Sequence, residues 1–343
     1  MSTVESLEVL KKKHSYKITI IIIFAFAAVA AFLISSSIGA LKISVTDVLR
    51  AIFIEKEGLN RSIIWKIRVP RTLVAGAVGI CLSLSGGILQ GVMRNPLASP
   101  NIIGVSSGAG LAATITLVLF PSYDYLLTPA AFVGAFATTI IIYFLSWKDG
   151  IKPLRMVLSG IAISSFIGAI INTILIFFPD RVQNTLGFTV GSLAARTWIH
   201  FKLLWPYALV GFILTMIMSR KLNILMLGDE IAGSLGLNIE RTRMILIICA
   251  SLLAASAVSV VGMLGFVGLI VPHITRIIIG SDYRYLFPAS ALLGASIMMI
   301  CDTIARTIVE PIELPVGIIM AAVGAPFFLY LLRGGFKKHV KNK

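Results

Sequence analysis

Charge is what this chain has least of. Only 13% of its 343 residues are Asp, Glu, Lys or Arg, against about 25% in an average soluble domain. Acids are rarer than bases, 15 against 30. Cysteine is nearly missing as well. Cys81, Cys249 and Cys301 each lie inside an apolar segment without ligand-like spacing, so they read as small buried hydrophobes and argue against a disulfide framework or a thiolate metal site. His14, His200, His273 and His339 are scattered, with no zinc-site spacing. No G-x-x-x-x-G-K-[ST] stretch occurs, so the chain has no phosphate cradle with which to hydrolyse ATP itself. Neither an H-E-x-x-H nor an arguable Ser-His-Asp order is present. A membrane enzyme or scaffold is the least favoured class.

What is abundant is apolar: 57% of residues are hydrophobic. Uncharged runs near the roughly 20 residues a bilayer requires occur at Ile18–Ile38, Thr72–Met93, Ile102–Phe120, Leu126–Trp147, Met156–Phe178, Leu203–Met218 and Met244–Val261. Gly262–Ile279 is apolar but broken by Gly262, Gly265, Gly268 and Pro272, and is a short span or a bent one. Leu286–Ile300 and Leu314–Leu332 bring the count to ten, with nine or eleven as the alternatives. The KKKHSYK stretch before the first run imitates a signal peptide. That run is about twice a typical signal core and no small-residue cleavage site follows, so the first span is expected to be retained.

Ten spans put both termini on one side. With the N-terminus inside, 19 of the 30 bases fall on inner segments and 11 outside, the bias expected of cytoplasmic loops. That rule accounts for the net charge of +15 better than a nucleic-acid partner does. Seven of the 11 outer bases crowd into 39–71: Lys42, Arg50, Lys56, Arg61, Lys66, Arg68 and Arg71. The fold expected is an all-α polytopic membrane protein, a compact bundle of about ten transmembrane helices with cytoplasmic N- and C-termini. It divides into a basic segment 1–17, a membrane domain 18–332 and a basic tail 333–343. The pairs Gly87/Gly91, Gly104/Gly108 and Gly187/Gly191 suit close helix packing in lipid.

Four stretches carry more than packing. Ser219–Arg243 is the longest polar segment between two membrane-length runs. Within it Gly228-Asp229 reads as a helix start, with Asp229 and Glu230 where the helix dipole favours acids. Gly236 reads as its stop. Ile231, Ala232 and Leu235 fall on one face. About seven residues cannot hold a helix alone, so the rest of the chain or a second protein must pack on it. In Arg68-Val69-Pro70-Arg71, Pro70 suits a first helical turn, which puts Arg68 and Arg71 at the unfavourable end of the dipole. Snorkelling to lipid or docking an acidic protein surface would each explain them. Asp302 and Arg306 stand four apart, as a structural pair or a ligand site. Finally, Gly265–Arg276 and Glu313–Gly317 put Gly265, Gly268, Pro272, Pro315 and Gly317 at membrane depth. Broken helices there line a cavity or lie in protein, so these residues are candidates for the pathway or its gate.

Together these stretches resemble one family. RVPRTLVAGAVGICLSLSGGILQGVMRNPLASPNIIGVSSGAG (Arg68–Gly110), LGDEIAGSLGLNIERTR (Leu227–Arg243), VVGMLGFVGLIVPHITRIIIG (Val260–Gly280) and DTIARTIVEPIELPVGIIMAAVGAPFFLYLL (Asp302–Leu332) are similar, in order and spacing, to permease subunits of ATP-driven importers. Those importers carry iron chelates (siderophores, haem) or cobalamin. The resemblance implies that 18–332 is a permease domain, with 219–243 as its cytoplasmic coupling loop. It implies that Gly228, Asp229, Glu230, Ile231, Ala232, Leu235 and Gly236 couple to an ATP-binding cassette ATPase dimer. Arg68, Arg71 and Arg306 would meet acidic residues of an extracytoplasmic substrate-binding protein. The implied partners further include membrane lipid and a second permease subunit, identical or related. No cofactor is bound directly, ATP being used by the partner, and the place is the bacterial cell (cytoplasmic) membrane. The small hydroxyl residues that similar transporters carry before the fifth span are absent from Lys148–Arg155, so no inner gate is assigned there.

The reading reached is a non-enzymatic permease subunit of an ABC importer for an iron chelate, with ferric siderophore the leading substrate and haem and cobalamin open. The alternative is an ion-coupled secondary transporter of small molecules, for which Asp302 is the one clear acid within a span.

Overall fold

The structure, a computed structural model, describes residues 3–39, 41, 43–55, 57–147 and 153–330, with side chains from His14 onward. The tail 333–343 and the bases Lys42, Lys56, Lys148 and Lys152 lie outside the described residues. α1 (Thr3–Ser37) runs through the expected boundary at 17/18 without a break, since no glycine or proline interrupts it. Two short helices follow at the far end, α2 (Val45–Phe53) and α3 (Leu59–Ile63). Ser44 caps α2, its Oγ accepting from the Asp47 amide at 3.1 Å, as short polar residues do at helix starts. A π-turn at Ile64–Arg68 leads into α4 (Val69–Val92), which has Pro70 in its first turn.

Next come α5 (Val105–Thr114), α6 (Leu127–Ser146), α7 (Pro153–Phe177), α8 (Val182–Val190) and α9 (Trp198–Leu225). α10 (Asp229–Ser234) is the helix inside the long polar segment. α11 (Ile239–Val261), α12 (Val267–Ile279), α13 (Tyr283–Thr307) and α14 (Val316–Tyr330) complete the bundle. Seven helical stretches are long and apolar enough to cross a membrane, and three shorter apolar ones, Val105–Leu119, Val267–Ile279 and Val316–Tyr330, take up the remaining expected runs. The broken region is therefore a short helix: 13 residues, or about 20 Å at 1.5 Å each.

α4 is the axis. Its most apolar window is 89% buried, against 11% for α7 at the edge, and α13, α11, α9 and α12 all pack on it. Lipid offers no hydrophobic drive between helices, so contact depends on backbones approaching closely. Glycines provide that approach. A Cβ on Gly86 would stand 1.7 Å from the Gly268 carbonyl oxygen, one on Gly79 2.1 Å from that of Gly294, and one on Gly108 2.3 Å from that of Gly134. Of the pairs expected to pack, Gly91 and Gly104 do press on neighbouring side chains, but nothing lies within 4 Å of a Cβ on Gly187. That glycine faces out of α8.

Among the buried hydroxyls, Thr139, Ser146, Ser251, Thr275 and Thr303 donate one turn back within their own helices. Such back-bonding needs no water.

α9 and α13 are tied at the α10 end of the bundle. Asn223 donates to Asp282 at 2.8 Å and accepts from the Tyr283 amide at 3.0 Å, while Arg284 donates to both Asp282 oxygens. Burial alone would raise the Asp282 pKa, but these donors outweigh it and hold it at about 2. A depressed carboxylate stabilises the fold above its unfolded value near 4 and stops doing so as pH falls through the folded one. Acid unfolding of the purified chain between about pH 4 and pH 2 should therefore be shallower in Asp282→Asn than in the parent. Equal slopes would remove Asp282 from that transition.

Candidate functional site

α10 is built as its glycines dictate. Gly228 precedes it at φ +114° and Gly236 follows at φ +80°. The Leu237 amide returns to the Ala232 carbonyl at 3.0 Å and the Gly236 amide to Gly233 at 2.9 Å, the paired closure of a helix ended by a left-handed residue. The expected three-residue face is split. Ala232 is fully buried, whereas Ile231 is 51% and Leu235, the residue closing the helix, 60% exposed. The rest of the chain thus packs on one side only, and an apolar tip with Leu227 beside it stands clear. Glu230 is also exposed. Asp229, its side chain 45% exposed, bonds two arginines that sequence reading did not single out: Arg94, just past the end of α4, and Arg243 in α11, at 2.8 and 3.0 Å.

At the opposite end, Arg68, Arg71 and Arg306 come together, but inside the protein, each 5–7% exposed. Arg68 donates to the Ser36 and Ser37 carbonyls at 3.1 and 2.7 Å and to that of Leu41. Arg306 donates to the Ser35 carbonyl and hydroxyl at 2.6 and 2.8 Å. Both arginines thus cap the C-terminus of α1, where a helix dipole favours cations. This answers the objection to arginine at the start of α4: the dipole that matters is a neighbour's. Arg71 grips Asp302 through Nε and Nη2 at 2.9–3.2 Å and Glu313 through Nη1 at 2.8 Å. The Asp302–Arg306 pair is present at 3.7 Å but secondary to Arg71. Arg61 donates to the Ala51 and Ile52 carbonyls and lies 4.2 Å over the Trp65 ring. Three of the seven crowded bases, Arg61, Arg68 and Arg71, therefore serve the fold itself.

Of the expected pathway residues, Gly268 is pressed on α4, Pro272 is buried in α12, and Gly317 meets the Val190 carbonyl while its amide donates to Gly191 at 3.1 Å. Pro315 is half-buried before α14, and only Gly265 has open space around it. Pro272 cannot donate to the Gly268 carbonyl four residues back. Gln90 of α4 does so instead, its Nε2 lying 3.4 Å from that oxygen and 3.1 Å from the Leu269 carbonyl. The break before α12 is held by the Met263 amide on the Phe188 carbonyl at 2.8 Å and the Ser192 amide on Val261 at 2.8 Å. These freed backbone groups lie in protein, one of the two settings a broken membrane helix allows.

One surface escaped sequence reading. α7 buries Met156, Gly160 and Ile167 on one side and leaves Leu158, Ala162, Ser165, Ala169, Asn172 and Ile176 exposed on the other. The recurrence of polar Ser165 and Asn172 seven apart was the available signal.

The chain matches the FecCD transport family over residues 26–334. It belongs to that family. Across 326 residues this FecCD chain is 43% identical to the Fe(3+)-citrate import system permease protein YfmE of Bacillus subtilis, covering 94% of this chain and 97% of that one. It is 40% identical to the hemin transport system permease protein HmuU of Yersinia pestis, over 78% and 83% of the two chains. A solved structure described as an inward-facing conformation of a metal-chelate type ABC transporter superposes with a TM-score of 0.83 at 29% identity, covering 92% of this chain and 99% of that one. The FecCD chain is a multi-pass cell-membrane protein.

Proposed function

We propose that this FecCD protein is the permease subunit of an ATP-driven importer for a ferric chelate, with a carboxylate or siderophore ligand around the iron. The observation that carries the ATP-coupled part is the tip of α10. Ile231 lies on a six-residue helix held between two positive-φ glycines and Leu235 closes it; both are exposed, and the helix is anchored through Ala232 and Asp229. A helix of that length does not persist without packing, and an apolar pair at i, i+4 fits a groove in a second protein. The substrate class follows the functions of the relatives.

On this reading 219–243 is the cytoplasmic coupling loop, both termini are cytoplasmic, and a separate ATPase dimer hydrolyses ATP. A second permease subunit or the pathway itself covers α7, because an exposed asparagine at membrane depth is costly against lipid. A binding protein meets the opposite end. There Arg71 is the residue able to receive a partner's carboxylate, in exchange for Glu313, whose side chain is 45% exposed. Arg68 and Arg306 hold the end of α1 beneath it.

The test is capture of the ATPase. Membrane-extracted wild-type chain should bring down a phosphate-loop ATPase, and Leu235→Asp should lose it by about tenfold or more, since a charge would be buried in an apolar groove. A wild type that captures no such ATPase overturns the ATP-coupled reading.

A further inference from the structure

Asp229, Arg94 and Arg243 form a junction between three helices. Asp229 is the first residue of α10, Arg94 lies two residues beyond α4, and Arg243 sits in the second turn of α11. Both Asp229 oxygens accept from Arg243 Nη2, at 2.8 and 3.0 Å, and Oδ1 also accepts from Arg94 Nη2. Arg243 is 4% exposed. Arg94 makes its contact from a backbone φ of +47°, a conformation that non-glycine residues rarely adopt.

The electrostatics are those of a latch. Two guanidiniums converge on one carboxylate. With the carboxylate in place each has an opposite charge at hydrogen-bond distance, and charge-assisted bonds are the strong ones. With it withdrawn, Arg94 and Arg243 repel each other at the ends of α4 and α11, with Glu240 the acid left acting on Arg243. α4 and α11 are the two most buried of the seven membrane-length helices, and they pack on one another. Gly228 and Gly236 flank α10 as pivots, and Ala232 holds the middle of the helix against the bundle, so the start of the helix can swing unless something fixes it. The latch fixes it, and fixes it to the core.

We propose that Arg94 and Arg243 are positioning residues that transmit movement of α10 into α4 and α11 through Asp229. This deepens the ATP-coupled reading and rests on it. A push on the exposed Ile231–Leu235 tip reaches the bundle interior because the other end of the same helix is bonded to the two central helices. Without the latch, the start of α10 would swing about Gly228 with Ala232 alone holding the helix, and part of the push would be lost in the loop.

The experiment uses the chain assembled with its ATPase in proteoliposomes. The three native cysteines are buried, so a cysteine introduced at Ser122, in the exposed segment between α5 and α6, can be followed by its maleimide labelling rate with and without ATP and vanadate. The parent should show a nucleotide-dependent change in rate. Arg94→Gln and Arg243→Gln, measured on complexes that retain the ATPase, should lose about tenfold of that change, as expected when a bond to a charged group is removed. Arg94→Lys should recover most of it, and Arg241→Gln, an exposed neighbour, should behave as the parent. Equal responses in parent and both glutamine variants would overturn the latch alone. Loss of ATPase capture by both would make the arginines docking residues and overturn their transmitting role. A parent without any nucleotide response would overturn the ATP-coupled reading and the latch with it.

Discussion

Asp302→Ala is expected to leave little folded permease in the membrane. Asp302 is fully buried and accepts three hydrogen bonds from Arg71, with Arg306 a further 3.7 Å away. Its removal leaves Glu313 as the only acid bonded to Arg71, and Arg68 and Arg306 on carbonyls. Breaking a buried pair by deleting one member costs about 3–5 kcal/mol, because the other charge stays buried without compensation. In detergent this should appear as a fall in Tm on the order of 5–10 °C, together with poor recovery from the membrane. Asp302→Asn keeps the shape and two polar atoms and should fall in between. Glu313→Gln, at a half-exposed site, should lose little, since exposed ion pairs contribute about 0–1 kcal/mol. An unchanged Tm in Asp302→Ala would mean that the cluster does not hold the end of α1.

Gly86→Ala is the second large effect. The new Cβ would lie 1.7 Å from the Gly268 carbonyl oxygen, with the Gly268 carbonyl carbon at 2.4 Å. Both obstacles are backbone, so no rotamer change relieves the overlap, and α4 and α12 must separate. Overpacking a core costs about 1–3 kcal/mol where side chains can shift; here they cannot, and the upper end or more is expected. The same separation would pull Gln90 off the Gly268 and Leu269 carbonyls. Gly187→Ala is the matched control, since nothing lies within 4 Å of its Cβ. Replacing a helical glycine in open space should stabilise by up to about 1 kcal/mol. Thermal unfolding of the two variants side by side decides the matter: a Gly86→Ala chain as stable as Gly187→Ala would refute the crossing.

What the sequence made legible was local. Both ends of α10 could be placed from Gly228 and Gly236, because capping is decided by a few adjacent residues. The ten apolar runs were legible for the same reason, and so was the weakness at Gly262–Pro272. The partners of the charged groups were not. Arg71 meets Asp302 231 residues away and Arg306 reaches Ser35 across 271, and no spacing rule extends that far. Arg68 looked misplaced against its own helix because the helix end it stabilises belongs to α1. Likewise Ala232 and Leu235 share a face by period, yet burial separates them, since α9 and α11 cover only one side of so short a helix. Gly86 carries no mark in the sequence that distinguishes it from Gly187, and Gly268, legible as a break, gives no sign there of its contact with α4. Their role exists only once α4 and α12 cross.

Gln90 and Pro272 together alter the mechanics of α12. An uninterrupted helix resists bending at each turn with its own main-chain bond, and its stiffness is a fixed property of the rod. At Gly268 that bond is missing and an amide from α4 takes its place. The bending stiffness of α12 at this turn is therefore set by its neighbour. A separation of α4 from α12 that takes the 3.4 Å Gln90–Gly268 contact out of hydrogen-bond range would leave that carbonyl without its donor. Stiffness in this helix is a variable that another helix controls.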